Sequence, residues 1–286
     1  MREIVSSSRI NRKAGPGVPL NLFFSTNGEA LDACSDQIAT WAAEVLLQLI
    51  RTPFKTLAEM RVEELLLQGF GVPIIEKIKW EPHSAEKIRT KRQRLYFSFG
   101  LILQLVERYL LEPCIDTELS EWSTLPVKPG IGASDEHNVA VWKQVQAALT
   151  KYLKLVGNDI SGWDWSVYPW LMDSADVATA NTAECTEDER ALLLDVLRKF
   201  TLLSLRLPLM DSDGVLFTLF PWWVWKSGRF ATARYNSWMR VILSYSLALE
   251  TDPTCTPWAI AMGDDCVEDP IPRDYAKVGF RVTDVE

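Results

Sequence analysis

The chain has 286 residues, 48% of them apolar and 24% charged, enough for one large globular domain or two small ones with a substantial core. Five scattered cysteines (Cys34, Cys114, Cys185, Cys255, Cys266) without a CxxC pair argue against a disulfide framework and a zinc site, and suit a reducing compartment. With His83 and His137 the only histidines, His-based metal sites and Ser-His-Asp triads find little support. A metal here would be held by oxygen ligands, which points to magnesium or manganese.

A formal charge of −8 argues against a nucleic-acid partner on the total alone. The distribution says otherwise. Lys87 to Arg94 reads KIRTKRQR, five basic residues in eight with no acid, whereas carboxylates gather in the second half around Asp159, Asp164, Asp264 and Asp265. A basic patch and a carboxylate cluster are the charges that a nucleotide-and-magnesium enzyme needs. No apolar stretch reaches the length of a membrane span; the longest candidate, Val215 to Trp225, contains Pro221. The N-terminal Met-Arg-Glu-Ile-Val-Ser has no apolar h-region, so no secretory signal is expected.

In chain order, residues 6–20 read as an extended arm rich in Ser, Gly and Pro. A helix is predicted from Asp36 to Arg51, with Ser35 as N-cap and Ile38, Trp41, Val45, Leu46 and Leu49 as its apolar stripe. A second is predicted from Thr56 to Gln68, with a Thr56–Glu59 capping box and Gly69 as the stop. A third covers Phe99 to Leu111, residues 112–133 read as a loop, and Ser134 to Tyr152 is again helical. Near Leu155 the character changes, and LKLVGNDISGWDW reads as a short strand carrying Asp159 at its end. Thr186 and Glu189 cap an apolar helix to Leu205, Val215 to Val224 reads as the second strand of a hairpin, and Thr232 to Leu249 as a helix. Trp258–Met262 and Cys266–Glu268 are strands joined by the tight turn Gly263-Asp264-Asp265. The order implies an α+β fold, an antiparallel sheet backed by helices.

Asp159 at a strand end and Asp264 and Asp265 at a hairpin tip can meet if their strands are neighbours. Buried carboxylates without a partner are costly, so a divalent cation is their natural company, and two aspartates can hold two magnesium ions for nucleotidyl transfer.

Four pieces in fixed order carry a resemblance. Asp159-Ile-Ser-Gly-Trp-Asp164 looks like the first palm motif of viral RNA-dependent RNA polymerases. Ser227-Gly228-Arg-Phe-Ala-Thr232-Ala-Arg-Tyr-Asn236-Ser237 is similar to their second, SGxxxTxxxNS, and Gly263-Asp264-Asp265 resembles the third. KWEPHSAEKIRTKRQRL, Lys79 to Leu95, looks like the basic fingers motif that lines the nucleotide tunnel. DISGWDWSV, KWEPH and GVPLNLFFSTNGEAL are most similar to sobemovirus- and luteovirus-like polymerases.

The resemblance implies a right-hand polymerase fold of fingers and palm with the thumb largely absent. Residues 1–154 would be the arm and fingers, and 155–286 the palm, with a fingers insertion at about 175–215. Asp159 and Asp264 would bind magnesium (manganese as a substitute), with Asp265 a nearby ligand. Asp164 and Asn236 would pair to read the ribose 2′-hydroxyl, with Thr232 positioning Asp164 or the ribose. Gly228 would allow close backbone approach to template or nucleotide and Ser227 would supply a hydroxyl. Lys79, Lys87 and Arg94 would neutralise the triphosphate, with Glu81 ordering that arm by pairing with a cation. Implied partners are RNA template and product, ribonucleoside triphosphates and other viral replication proteins, in membrane-associated complexes of the host cytoplasm. Tyr275 to Asp284 looks like the start of the fourth palm motif; the expected reading is of a C-terminally truncated chain, with Lys277 a weak substitute for the general-acid lysine. The alternative is a non-catalytic or incomplete polymerase-like domain serving as an RNA-binding subunit of a replication complex. A reverse transcriptase would be expected to carry an aromatic residue where Met262-Gly263 precedes Asp264.

Overall fold

The computed structural model describes residues 1–7, 9–90, 93–130 and 134–284. They divide into two compact units, residues 1–112 with 185–230 and residues 113–184 with 231–286. The boundary expected at 154/155 therefore lies within the second unit. The reason is a backbone connection: Lys128 N donates to Ala261 O at 2.8 Å and Ala261 N donates to Pro126 O at 2.9 Å, so residues 126–128 pair with the second unit's sheet.

The first unit opens with α1 (Arg2–Val5) and α2 (Asn27–Arg51). α2 begins at Asn27 rather than Asp36, because Thr26 Oγ1 accepts from Glu29 N at 3.2 Å and caps an earlier turn. A non-helical residue, Cys34 (φ −149°, ψ 41°), kinks it where the apolar periodicity starts. The single helix expected over Thr56–Gln68 is two, α3 (Phe54–Glu59) and α4 (Val62–Leu67). The Arg206 guanidinium ends α3 by donating to the carbonyls of Leu57 and Ala58 at 2.9 Å and to that of Met60. Glu64, which accepts from Arg61 N at 2.7 Å, then starts α4, so the capping box sits there and not at Thr56–Glu59.

β1 (Ile74–Ile78), α5 (Ala85–Arg89) and β2 (Leu95–Ser98) follow, then α6 (Leu101–Ser120), which continues past Pro113 into residues read as loop. The division between the units falls at that proline. Lys91, Arg92 and the 131–133 part of the expected loop lie outside the described residues. The second unit supplies α7 (Asp135–Tyr152), which Ser134 caps, β3 (Val156–Ile160), α8 (Trp163–Ser166) and α9 (Pro169–Thr182).

α10 (Glu187–Arg206) carries the expected Thr186–Glu189 box and returns the chain to the first unit, with β4 (Leu209–Met210) and β5 (Leu216–Phe217). β5 stops at Phe217, far short of the strand expected to Val224, and Val224 and Trp225 are instead buried outside any strand, 1% and 0% exposed. α11 (Thr232–Thr251), β6 (Ala259–Met262), β7 (Asp265–Glu268) and β8 (Val282–Asp284) complete the second unit.

Each unit has its own sheet. The first is mixed, ordered β2-β1-β4-β5, with β1 parallel to β4; the second is antiparallel, ordered β6-β7-β3-β8. The first unit's core includes Leu49, Leu57, Leu65, Ile74, Phe99 and Phe200, each at most 2% exposed. Burial of a side chain of that size contributes roughly 1.5–3 kcal/mol. In the second unit Val127, Val241, Ala259, Ala261 and Cys266 form a small apolar cluster beside a layer of buried polar groups.

Candidate functional site

In the second unit the β3–β7 register is Val156↔Glu268, Gly157↔Val267 and Asn158↔Cys266. Carried one step further it brings Asp159 level with Asp265. Side chains alternate along a strand. Asn158, Ile160, Cys266 and Glu268 accordingly face the interior and are buried, while Asp159 and Asp265 share the other, more open face. Asp264 occupies the turn between β6 and β7, beside Gly263 at φ 69°, a left-handed conformation that glycine adopts without strain. Thr283 on β8 donates its hydroxyl to Asp159 Oδ2 at 3.4 Å, a contact that no sequence signal announced.

α11 carries the second half of the SGxxxTxxxNS segment. Thr232 is its first residue and Asn236 lies one turn on. Asn236 is 6% exposed, and its buried Oδ1 has no hydrogen-bond partner among the described residues. Ser237 ties the helix to the carboxylate turn: its Oγ accepts from Gly263 N at 2.9 Å and donates to Ala233 O at 2.8 Å. The helix is anchored by Arg234, which donates to both oxygens of Glu118 at 2.8 and 2.7 Å and to Thr179 Oγ1 at 2.8 Å. Trp238 Nε1 adds a donor to Glu118 at 2.9 Å, and Tyr235 OH donates to Asp176 at 2.7 Å. Asp164 lies in the first turn of the short helix α8, after Trp163, and is partly exposed. Burial pushes the Cys266 thiol up to about 12, which leaves it inert as a nucleophile.

The other expected site residues lie in the first unit. Lys79 and Arg94 face a single carboxylate, with Lys79 Nζ 2.9 Å and Arg94 Nη1 3.1 Å from the two oxygens of Glu81. Hydrogen bonding to Lys79 and the charges of Arg94 and Lys79 hold the Glu81 carboxyl below the usual range. Lys79 N also donates to Arg94 O at 2.8 Å, so the two ends of the basic arm meet where β1 and β2 run out. Lys87 is exposed on α5, whose first turn is capped by Ser84.

The Ser227–Gly228 loop is fixed from below. Ser227 O accepts from Phe97 N at 2.9 Å, and a Cβ added to Gly228 (φ 131°) would lie 1.8 Å from Phe97 O. The close approach that this glycine permits here is to the backbone of β2. Arg229 is held by Glu107, Nε to Oε1 at 2.9 Å, with Phe230 N on Oε2 at 2.8 Å, and its guanidinium lies 4.8 Å from the Trp225 ring centre. Lys226 donates to the carbonyls of Ser204 (3.1 Å), Leu207 (3.2 Å) and Leu205 at the end of α10, and burial pushes its ammonium down to about 7. Gly228→Ala is expected to cost about 2–3 kcal/mol in urea unfolding, because strained backbone and a displaced strand add together. A midpoint and slope equal to those of the parent would contradict the contact.

Lys277, in a 3-10 turn, is exposed and paired with Glu250 at the end of α11, which raises its basicity. Among the described residues no group of three or more His, Cys, Asp or Glu side chains is placed to hold a metal ion. A pair of level carboxylates suits magnesium, which takes one or two protein carboxylates and completes its shell with water and substrate phosphate.

An antiparallel palm-type sheet backed by a helix, with one aspartate on an inner strand level with a Gly-Asp-Asp hairpin, defines the class: a viral polymerase fold. The "Sicinivirus 3Dpol RNA dependent RNA polymerase" shares it, with a TM-score of 0.67 over 97% of this chain and 55% of that one at 14% identity, a likeness of fold. In sequence the chain is a homologue of sobemovirus and luteovirus replicase polyproteins. It is 32% identical over 290 residues to Replicase polyprotein P2AB of Cocksfoot mottle virus, covering 100% of this chain and 29% of the relative. With Replicase polyprotein P2AB of Southern bean mosaic virus the identity is 31% over 289 residues, 97% of this chain and 28% of the relative. With Protein P1-P2 of Potato leafroll virus (strain Potato/Netherlands/Wageningen/1989) it is 33% over 241 residues, 78% and 21%. The chain thus spans less than a third of the length of these relatives. No family model matches it.

Proposed function

We propose that this chain carries the fingers and palm of an RNA-dependent RNA polymerase that adds ribonucleotides to an RNA 3′-hydroxyl under the direction of an RNA template. The observation that supports this most is the β3–β7 register, which sets Asp159 level with Asp265 on the open face of the palm sheet, next to Asp264. Asp159 and Asp264 would hold magnesium, with Asp265 assisting. Bound there, the ions would supply Lewis acidity to the attacking hydroxyl and to the pyrophosphate leaving group.

In the reaction the RNA 3′-hydroxyl forms a bond to the α-phosphorus of the nucleotide and the bond to pyrophosphate breaks. Lys79, Lys87 and Arg94 would neutralise triphosphate charge, with phosphate competing against Glu81 for Lys79 and Arg94. Asn236, through an Oδ1 without a partner among the described residues, and Asp164 would read the ribose 2′-hydroxyl. Other viral replication proteins and membrane-associated replication complexes belong to the same proposal, and among the described residues no helix is long and apolar enough to cross a membrane.

Sugar choice provides the test. Asp164→Ala and Asn236→Ala should each lower kcat/KM for ribonucleotides more than for the 2′-deoxy analogues, narrowing the preference by about tenfold or more. A site built to bond a hydroxyl leaves its polar groups unpaired when that hydroxyl is missing. An unchanged ratio in both variants would refute the assignment.

A further inference from the structure

On the buried face of the palm sheet, behind Asp159 and Asp265, lies a buried polar cluster. Asn158 Nδ2 donates to Glu268 Oε1 at 2.6 Å, across the two strands that carry the aspartates. Arg240 of α11 donates to Asn158 Oδ1 and, through Nη1, to Tyr275 OH at 3.0 Å. Tyr275 OH and Ser244 Oγ each donate to Glu268 Oε2 at 2.7 Å. Arg273 balances the charge, with Nε 3.5 Å from Glu268 and Nη1 3.1 Å from Asp269. Arg240 and Ser244 are 0% exposed, Glu268 3%, Asn158 6% and Tyr275 7%.

We propose that Asn158, Arg240 and Glu268 are positioning residues, a register latch that keeps Asp159 level with Asp265 and so makes the pair able to take up a divalent cation. The inference rests on the polymerase reading of that face. β6 and β7 are joined by a tight turn that sets their pairing, but β3 and β7 have no such connection, since Asn158 and Glu268 are 110 residues apart in the chain. A slip of one residue between strands sends every side chain to the opposite face. Such a slip would put Asn158 where Asp159 belongs. The apolar side chains on that face, Ile160 and Cys266, resist such a slip, but their non-directional packing does not specify the β3–β7 register by itself.

Hydrogen bonds do. Asn158 adjoins Asp159, its register partner Cys266 adjoins Asp265, and Glu268 lies two residues beyond, on the same face as Cys266. Arg240 is one turn after Asn236, and Ser237 and Ser244 flank it on the same stripe of α11, on Gly263 N and Glu268 respectively. The helix is thereby keyed to the sheet at the hairpin tip, at β3 and at β7.

A buried ionic cluster replaced by apolar side chains of similar size often leaves stability unchanged, so this one can be tested for register apart from stability. The triple variant N158L/R240M/E268M, Tyr275→Phe and the ligand control Asp159→Asn are compared with the parent for melting temperature and for Mn2+ binding, followed by the EPR signal of free Mn2+. The triple variant should melt within about 5 °C of the parent yet bind Mn2+ about tenfold more weakly, as loss of groups that support ligands does. Tyr275→Phe, which removes one hydroxyl, should weaken Mn2+ about threefold. If the triple variant does not fold, the decision passes to Tyr275→Phe. Affinity within the error of the parent in the deciding variant, while Asp159→Asn loses it, overturns the latch and leaves the metal reading intact. Parental Mn2+ affinity in Asp159→Asn overturns the metal reading itself, and the latch with it.

Discussion

Asp264→Ala should lower template-directed nucleotide incorporation by at least about a thousandfold, equivalent to about 4 kcal/mol of lost transition-state stabilisation. The carboxylate stands in the turn between β6 and β7, where its removal subtracts negative charge without opening the core, so the melting temperature should be close to that of the parent. Manganese should not restore the rate, because the missing group is a ligand and not a tuning element. Incorporation within tenfold of the parent, with either cation, would remove Asp264 from the chemistry.

The second large effect is on stability. Glu107→Ala should destabilise the first unit by about 3–5 kcal/mol in denaturant unfolding, because Arg229 stays buried without its carboxylate. Arg229 and Glu107 side chains are 1% and 2% exposed, so water cannot take the place of the lost partner. The effect should reach function through the loop that Arg229 belongs to, since Ser227 and Gly228 sit immediately before it. Replacing both partners, with Glu107→Leu and Arg229→Met, should recover much of the loss, as the apolar pair no longer pays for desolvation. A single variant as stable as the parent would show that the pair does not hold the loop.

Local chemistry makes much of this legible in the sequence. The strand ending at Asp159, the Gly263 turn, the Thr186 cap and the helices from Ser134 and Thr232 each depend on residues within a turn of one another. The elements that were misjudged depend on distant partners. One predicted helix is two because Arg206, far along the chain, takes the carbonyls at Leu57 to Met60. α6 runs past Pro113 into residues whose Glu118 is claimed by Arg234 and Trp238. β1 and β2, which frame the basic arm, carry Glu76, Lys77 and exposed Leu95 and Tyr96, so neither shows clean alternation.

The site divides in the same way. Residue types pointed to the carboxylates, and the resemblance to Asn236 and the Lys79–Glu81–Arg94 arm. What holds them, namely Ser237 on Gly263, Thr283 on Asp159 and the cluster behind the sheet, was not read. One signal was present: Ser237, Arg240 and Ser244 recur at helical spacing on the helix from Thr232, and polar residues on a buried stripe require partners.

Template dependence is the most direct test of the central claim. The whole replicase containing this chain is given a primed RNA whose templating base is A, C, G or U in turn, together with all four ribonucleotides, and the base added first is identified. The account predicts that the added base is the Watson–Crick complement in each of the four cases, and that Asp159→Asn abolishes addition in all of them. Addition of the same base whatever the template, or complementary addition that survives Asp159→Asn, would contradict it.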